Sequence, residues 1–366
     1  MTCLHPIKAW KNPVAMLDIP PEEYYQSKKI SFMKRPNWQE IEIPCGRCLG
    51  CKLDQANMWA TRLYMETKCW KKCCFVTLTY NNNNLTINEN GQSTLVKKDI
   101  QDFMKRLRKK YKGIETWIHP IKNIEEKPIR YFCCGEYGEN ATKRPHYHIA
   151  LFNFEPEDLK TYKISKKGHQ SFTSKSLYDL WGKGFVVVEE LNFASACYIA
   201  RYVQKKAGLE PVKREYTGEI REEEKIDERN GQPFIHDVMV QKAQEHERQP
   251  EFILMSRGVG IGRVYWDKNK EKIKRNGGVM VKLDGKVKTK PIPRYFKKLW
   301  ESENYEEYYR FKYEKYKDMQ RVKAEIISKI KLPDETSDII KWEFYLANQE
   351  KILLKKAEKL RRNEFI

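Results

Sequence analysis

Three segments, residues 75–80, 130–134 and 147–152, are rich in β-branched and aromatic residues and flanked by turn formers, which predicts strands. A fourth strand is expected at residues 184–189. Between them the apolar period lengthens to that of a helix. Residues 53–68 place Leu53, Ala56, Ala60, Leu63 and Thr67 on one face, and residues 97–110 place Ile100, Phe103, Met104 and Leu107. A short helix is expected at 176–181, and a longer one at 193–206, which holds no Pro or Gly. The run Asn81 to Asn84 and the pair Asn90-Gly91 are turn signals with room for a short hairpin between them. The order strand, helix, strand, strand, helix, strand, helix gives an α+β fold in which helices cover an antiparallel sheet.

The pattern is weaker at both ends. Residues 1–44 are rich in proline and read as an irregular arm, and residues 210–233 are polar and read as a linker or long insertion. Residues 299–362 are rich in Glu, Lys and Tyr and read as one or two charged helices broken near Pro333. The expected division is a Cys-rich N-terminal arm and helix (1–70), a core (71–208), a linker (209–236), a core extension (237–295) and a charged helical tail (296–366).

Composition adds a partner. The 366 residues, 40% hydrophobic, can bury a substantial core, and 70 Lys and Arg against 50 Asp and Glu give a net charge of +20. That excess favours an anionic partner, nucleic acid being the commonest. A membrane is not expected, since no apolar run approaches the roughly 20 residues of a spanning helix and the first residues lack a signal-peptide core. The chain reads as soluble and intracellular. Basic residues of two helices, Lys52, Arg62 and Lys68 in the first and Arg106, Arg108 and their neighbours in the second, are candidates for a phosphate backbone or for solvated faces.

Ten cysteines in a reducing compartment argue against disulfides. Cys45, Cys48 and Cys51 supply three thiolates locally, and zinc wants four. Cys3 is the expected fourth ligand of a structural Zn2+, with His5 or Cys69 as alternatives and unmetallated thiols as the competing reading. Cys73-Cys74 and Cys133-Cys134 alternate faces of strands and read as small core residues.

His146 and His148 stand two apart on a strand, so both imidazoles project to one face. Glu136 ends the preceding strand, and Glu139 in the loop is the reserve carboxylate. Two imidazoles and a carboxylate suit a divalent cation with positions left open for water or substrate oxygens. Tyr198 and Tyr202, four apart on the predicted helix, share a face that Lys205 continues. The Gly258 to Gly262 run lacks the Lys-Ser/Thr of a phosphate loop and predicts no nucleotide site.

In order and spacing, Phe75-Val76-Thr77-Leu78-Thr79-Tyr80, then Pro145-His146-Tyr147-His148, then Tyr198-x-x-Arg201-Tyr202-x-x-Lys205 resembles the three motifs of HUH endonucleases. With Pro44-Cys45-Gly46-Arg47-Cys48 and Met255-Ser256-Arg257-x-x-Gly260-Ile261-Gly262, the chain is similar over residues 1–266 to the rolling-circle replication initiators of gokushovirus-type microviruses. The resemblance implies a Rep-like palm in the cytoplasm of a bacterial host. It implies Mg2+ or Mn2+ on His146, His148 and Glu136, with Tyr198 or Tyr202 nicking single-stranded DNA at a replication origin, and a 5′-phosphotyrosyl intermediate with a free 3′-OH. Lys205 would help neutralise the phosphate, and host polymerase and helicase are the implied partners. Two alternatives differ in kind. One is a non-catalytic basic nucleic-acid-binding or packaging protein. The other is a His/His/carboxylate iron oxygenase, disfavoured because Phe152 and Asn153 stand where its Glu is wanted.

Overall fold

The computed structural model describes residues 3–11, 30–111, 117–118, 125–126, 129–138, 143–165, 168–207, 216–226, 233–241, 248–283, 285–333 and 335–363. Side chains are described within these ranges except at 117–118, 125–126, 202–207, 216–226, 233–241 and 357–363.

In chain order the elements are β1 (Ile7–Lys11), β2 (Ile30–Ser31), β3 (Gln39–Ile43), α1 (Leu49–Thr67), β4 (Cys73–Tyr80), α2 (Lys97–Lys110), β5 (Trp117–Ile118), β6 (Glu125–Glu126), β7 (Arg130–Tyr137) and β8 (Pro145–Phe152). There follow β9 (Leu159–Ile164), β10 (Gln170–Ser174), α3 (Lys175–Trp181), β11 (Gly184–Glu190), α4 (Phe193–Ala207), β12 (Tyr216–Ile226), β13 (Pro233–Gln241) and β14 (Phe252–Met255). The chain continues through α5 (Arg263–Arg275), β15 (Val279–Leu283), β16 (Lys286–Lys290), α6 (Arg294–Glu303), α7 (Tyr305–Ser328) and α8 (Asp338–Asn363).

The centre is a seven-stranded antiparallel sheet in the order β14-β7-β8-β4-β11-β10-β9. Because side chains alternate along a strand, β14, β7, β8 and β4 divide their residues between two cores. Val76, Leu78, Cys133, Tyr147 and Val188 pack with Phe103 of α2 and Trp181 of α3 on one face. Phe75, Phe132, Cys134 and Ala150 pack with Ala60 of α1 and Ile199 of α4 on the other. The α+β reading, helices over an antiparallel sheet, holds.

Several expectations need correction. Within the arm at 1–44, β1 pairs with β2 and β3 as a small antiparallel sheet. Residues 159–164 and 170–174, where the sequence pattern predicts no element, form β9 and β10; β9 is an edge strand whose lysines hide the alternation. The expected linker contains β12, paired with β13 as a two-stranded ribbon whose sequence has no apolar period to betray it. α1 begins at Leu49, four residues early, because the Cys48 side chain caps it by accepting from the Cys51 amide.

Three arginines of the basic clusters make contacts within the protein, while Lys68, Lys105, Lys109 and Lys110 are exposed. Arg62 lies 4.2 Å and 4.5 Å from the ring centroids of Trp59 and Tyr295 and donates to the Ile261 carbonyl. Arg106 and Arg108 donate to the carbonyls of Leu180 and Ile129, tying α2 to neighbouring loops rather than presenting both guanidiniums to a ligand. The charged tail forms α7 and α8 with the break near Pro333, as its composition indicates.

Candidate functional site

Strand pairing assembles the polar group. Glu136 of β7 is the direct partner of His146 of β8, and Thr79 of β4 flanks His146 on the other side. One pair further along the face, His148 lies between Cys134 and Thr77. The buried Glu136 places Oε1 2.6 Å from His146 Nε2 and 2.9 Å from His148 Nε2. The three ligating atoms fall within 4.8 Å of one another. Glu139 lies outside the described residues.

The hydrogen-bonding pattern constrains the protonation of this trio. His146 Nδ1 is 3.1 Å from the Arg144 carbonyl, which can only accept, so Nδ1 carries a proton. Its Nε2 then faces a carboxylate oxygen and needs either a second proton or a metal ion between them. As the structure stands, burial alone would lower the His146 pKa, but the Glu136 hydrogen bond and charge outweigh it and raise it. For Glu136, burial works upward, and the bonds to both imidazoles bring its carboxyl below the ordinary value. Burial dominates at His148 and lowers its pKa.

A divalent ion fits the same arrangement. His148 Nδ1 can donate to Thr77 Oγ1 at 3.0 Å, leaving both Nε2 lone pairs for one centre. Glu136 Oε2 is buried without a hydrogen-bond partner among the described residues, an orphaned acceptor that a cation would satisfy. Phe75 stacks against the His148 ring at 5.5 Å and fixes its plane.

α4 brings Tyr198 to this group. Its hydroxyl is 3.5 Å from His148 Nε2, its ring meets the imidazole edge-on at 5.0 Å, and the Arg201 guanidinium lies 5.1 Å from its ring centroid. Tyr202 and Lys205 continue the helix backbone, but their side chains lie outside the described residues. Sequence reasoning missed two contributors, Thr77 as the support of His148 and Arg201 as the cation beside Tyr198. The signal for Thr77 was its alternation with Thr79 in an otherwise apolar strand.

Comparison with known proteins falls on the same residues. The family model for the replication-associated protein ORF2 matches residues 73–207, from the first residue of β4 to the last of α4. Replication-associated protein ORF2 of Spiroplasma virus 4 is 31% identical over 301 residues, covering 81% of this chain and 80% of that protein. The chain belongs to the replication-associated protein family. Replication-associated protein VP4 of Bdellovibrio phage phiMH2K is 35% identical over 206 residues, 56% of this chain and 58% of that one. Replication-associated protein ORF4 of Chlamydia phage 1 is 30% identical over 187 residues, 50% and 41% of the two chains. No solved structure gives a significant match.

In this family member the four expected thiols also converge. Cys3, Cys45, Cys48 and Cys51 place their sulfurs within 4.8 Å of one another, with 3.9 Å between Cys48 and Cys3 and 4.0 Å between Cys45 and Cys51. Backbone amides of Leu4, Cys45, Cys48 and Cys51 point at sulfurs of the group. At Cys48, burial pushes the thiol up, but the amides of Leu4 and Cys51 and its neighbouring thiols bring it down to about 6. His5 pairs instead with Glu350 at 3.0 Å, and Cys69 donates to the Met65 carbonyl, so neither alternative joins the cluster.

The late Met255 to Gly262 motif has a structural task. Glu66 of α1 and Arg130 of β7, both fully buried, pair at 2.7 Å; Arg130 donates to the Val259 carbonyl and the Gly262 amide donates to Glu66. A Cβ on Gly260 would lie 2.7 Å from the Tyr295 hydroxyl, which explains the glycine there. The motif closes the core behind α1. Among the described residues no helix is long and apolar enough to cross a membrane.

Proposed function

We propose that this protein initiates phage DNA replication by nicking one strand through Tyr198 and later rejoining it. The observation that carries the reading is the Glu136 carboxylate bridging two imidazole Nε2 atoms, with the Tyr198 hydroxyl beside His148. His146, His148 and Glu136 would hold Mg2+ or Mn2+. When bound, such an ion polarises a non-bridging phosphate oxygen and stabilises the charge that develops on it.

The remaining chemistry belongs to the chain's own groups. The phenolic oxygen of Tyr198 forms a bond to the scissile phosphorus as the bond from phosphorus to the 3′-oxygen breaks. The phenol proton is balanced by the proton gained at the departing 3′-oxygen, so the products are a 5′-phosphotyrosyl protein and a free 3′-OH that a host polymerase can extend. Because one phosphodiester replaces another, the step reverses with a new 3′-OH and can close a circle. Arg201 supplies positive charge near the phosphate, Lys205 is assigned a similar role from its place one turn along, and Tyr202 is assigned the second cleavage.

The Cys3, Cys45, Cys48 and Cys51 group is assigned a structural zinc. Four sulfurs at about 2.3 Å from one tetrahedral centre stand about 3.8 Å apart, close to the 3.9 and 4.0 Å separations of the two pairs. Such a centre would join the start of the chain to the cap of α1, the helix on which α4 packs.

The test is incubation of the full chain with origin-containing single-stranded oligonucleotide and Mn2+ or Mg2+, followed by denaturing electrophoresis and peptide mass spectrometry. A metal-dependent covalent adduct on Tyr198 is expected. Tight binding without any adduct would assign the protein to the non-catalytic class.

A further inference from the structure

The two faces of the central sheet are covered unequally. α2 and α3 pack on one face across β4, β8 and β11. On the face that carries the histidines, α4 packs over β7, β8 and β14, and no helix covers β11 or β10 among the described residues. Phe185, near the start of β11 and beyond the Ser171–Glu189 and Phe172–Val188 pairs that join β11 to β10, is 62% exposed.

Register aligns that ring with the candidate site. Glu136 opposes His146, His146 opposes Thr79, and Thr79 opposes Phe185, so one cross-strand row runs from the carboxylate to the exposed phenylalanine. With strands about 4.8 Å apart, the Phe185 backbone stands about 10 Å from that of His146. The neighbouring row runs from His148 through Thr77 to Val187, and beyond it Thr173 pairs with Lys160 of β9. Tyr162, 64% exposed, joins Lys160, Thr173, Phe185 and Val187 around a groove of about 400 Å³.

The geometry points to a track for single-stranded DNA across this uncovered half of the sheet: Phe185 stacks a base two strands from the histidines, Tyr162 stacks one two strands further out, and Lys160 contacts the backbone. Its direction from the histidines rests on the nicking reading; its chemistry does not. Single strands bind cationic grooves that offer aromatic planes, with little sequence preference. Lys160 and Lys163 have no ion-pair partner among the described residues, whereas Lys175 at the groove's rim is paired with Asp179. Edge lysines alone would be explained as protection of β9 against pairing with another chain. A ring 62% exposed in the same cross-strand row as His146 and Glu136 is not. Glu189, exposed on the same face beside Ser171, limits the track on the side away from the Phe185 row.

The test compares the full-length wild type with Phe185→Ala, Tyr162→Ala, the double variant, Phe185→Trp and Lys160→Gln. Fluorescence anisotropy would follow a labelled single-stranded oligonucleotide and the matched duplex, with circular dichroism, melting temperature and oligomeric state measured alongside. Each alanine should weaken single-strand binding about tenfold and leave duplex binding within twofold; Phe185→Trp should retain wild-type affinity. Lys160→Gln should reduce the slope of log affinity against log salt by about 0.7. Unchanged single-strand affinity in the folded double variant would overturn the track, and a shift from dimer to monomer with that unchanged affinity would assign the rings to self-association instead. Adduct formation is scored on the same samples. Wild-type adduct with an unaffected double variant sinks the track and spares nicking, whereas Phe185-dependent binding without any wild-type adduct does the reverse.

Discussion

Thr77 Oγ1 lies 3.0 Å from His148 Nδ1, and the two residues face each other directly across the β4–β8 ladder. In the neutral ring, an Nδ1–H donated to this hydroxyl leaves Nε2 bare, which is the tautomer that a metal ion needs and one for which Thr77 Oγ1 supplies the acceptor. Thr77→Val keeps the shape and removes the acceptor. Mn2+ affinity, measured by calorimetry, should fall about tenfold to a hundredfold, and Thr77→Ser should recover most of it. Wild-type affinity in the valine variant would return Thr77 to a purely structural place in the strand.

Removal of either imidazole tests the centre itself. His146→Ala and His148→Ala should each abolish metal-dependent adduct formation while single-strand affinity stays within a fewfold of wild type, because the rings project from a strand that other contacts hold in place. Glu136→Gln should behave alike. Cleavage at the wild-type rate by any of the three would show that the ion is held elsewhere.

The candidate site was legible because its parts obey local periodicities: His146 and His148 by the strand period, and Tyr198 with Tyr202 by the helix period. The approach of Glu136 followed from its position at the end of the neighbouring strand. What could not be read was set by register between distant segments. Thr77 meets His148 across 71 residues, and Arg130 meets Glu66 across 64. The fold failed to show where burial gave no signal, at the lysine-bearing edge strand β9 and the charged ribbon strand β12. The thiol group was visible as three local cysteines, but the choice of Cys3 over His5 depended on the arm being paired into a sheet.

The buried pair of Glu66 and Arg130 should be sensitive to removal of one partner. Arg130→Met strands a carboxylate that otherwise satisfies Arg130, Trp70 and the Gly262 amide. A loss of about 3–5 kcal/mol in urea unfolding is expected, and the double change Glu66→Gln with Arg130→Met should recover part of it. Equal stability of the single variant and wild type would mean that the pair contributes nothing beyond its packing.

Metal replacement distinguishes the sulfur centre from the imidazole one. Protein grown with Co2+ should show the intense visible absorption of tetrahedral cobalt thiolate, with one ion per chain, and Cys48→Ser should lose it along with several degrees of melting temperature. His146→Ala should leave that spectrum unchanged. Protein purified under reducing conditions without stoichiometric zinc, and unable to take up cobalt, would leave the four cysteines as packed thiols.

The two tyrosines are separated by about one helical turn, and the Tyr198 hydroxyl lies at the His148 imidazole. If Tyr202 reaches the same phosphate by a small movement of the helix or of the DNA, the phenols can exchange roles. Tyr198→Phe should then retain slow single-turnover nicking, and Tyr202→Phe should nick at close to the wild-type rate. Both should fail at the second transfer, accumulating linear or multimeric strands instead of closed unit-length circles. The double Phe variant keeps the rings and loses both nucleophilic oxygens, so no covalent adduct should form. If Tyr198→Phe abolishes nicking while Tyr202→Phe completes the whole cycle unharmed, one phenol performs both transfers, and Tyr202 is left without a part in the chemistry.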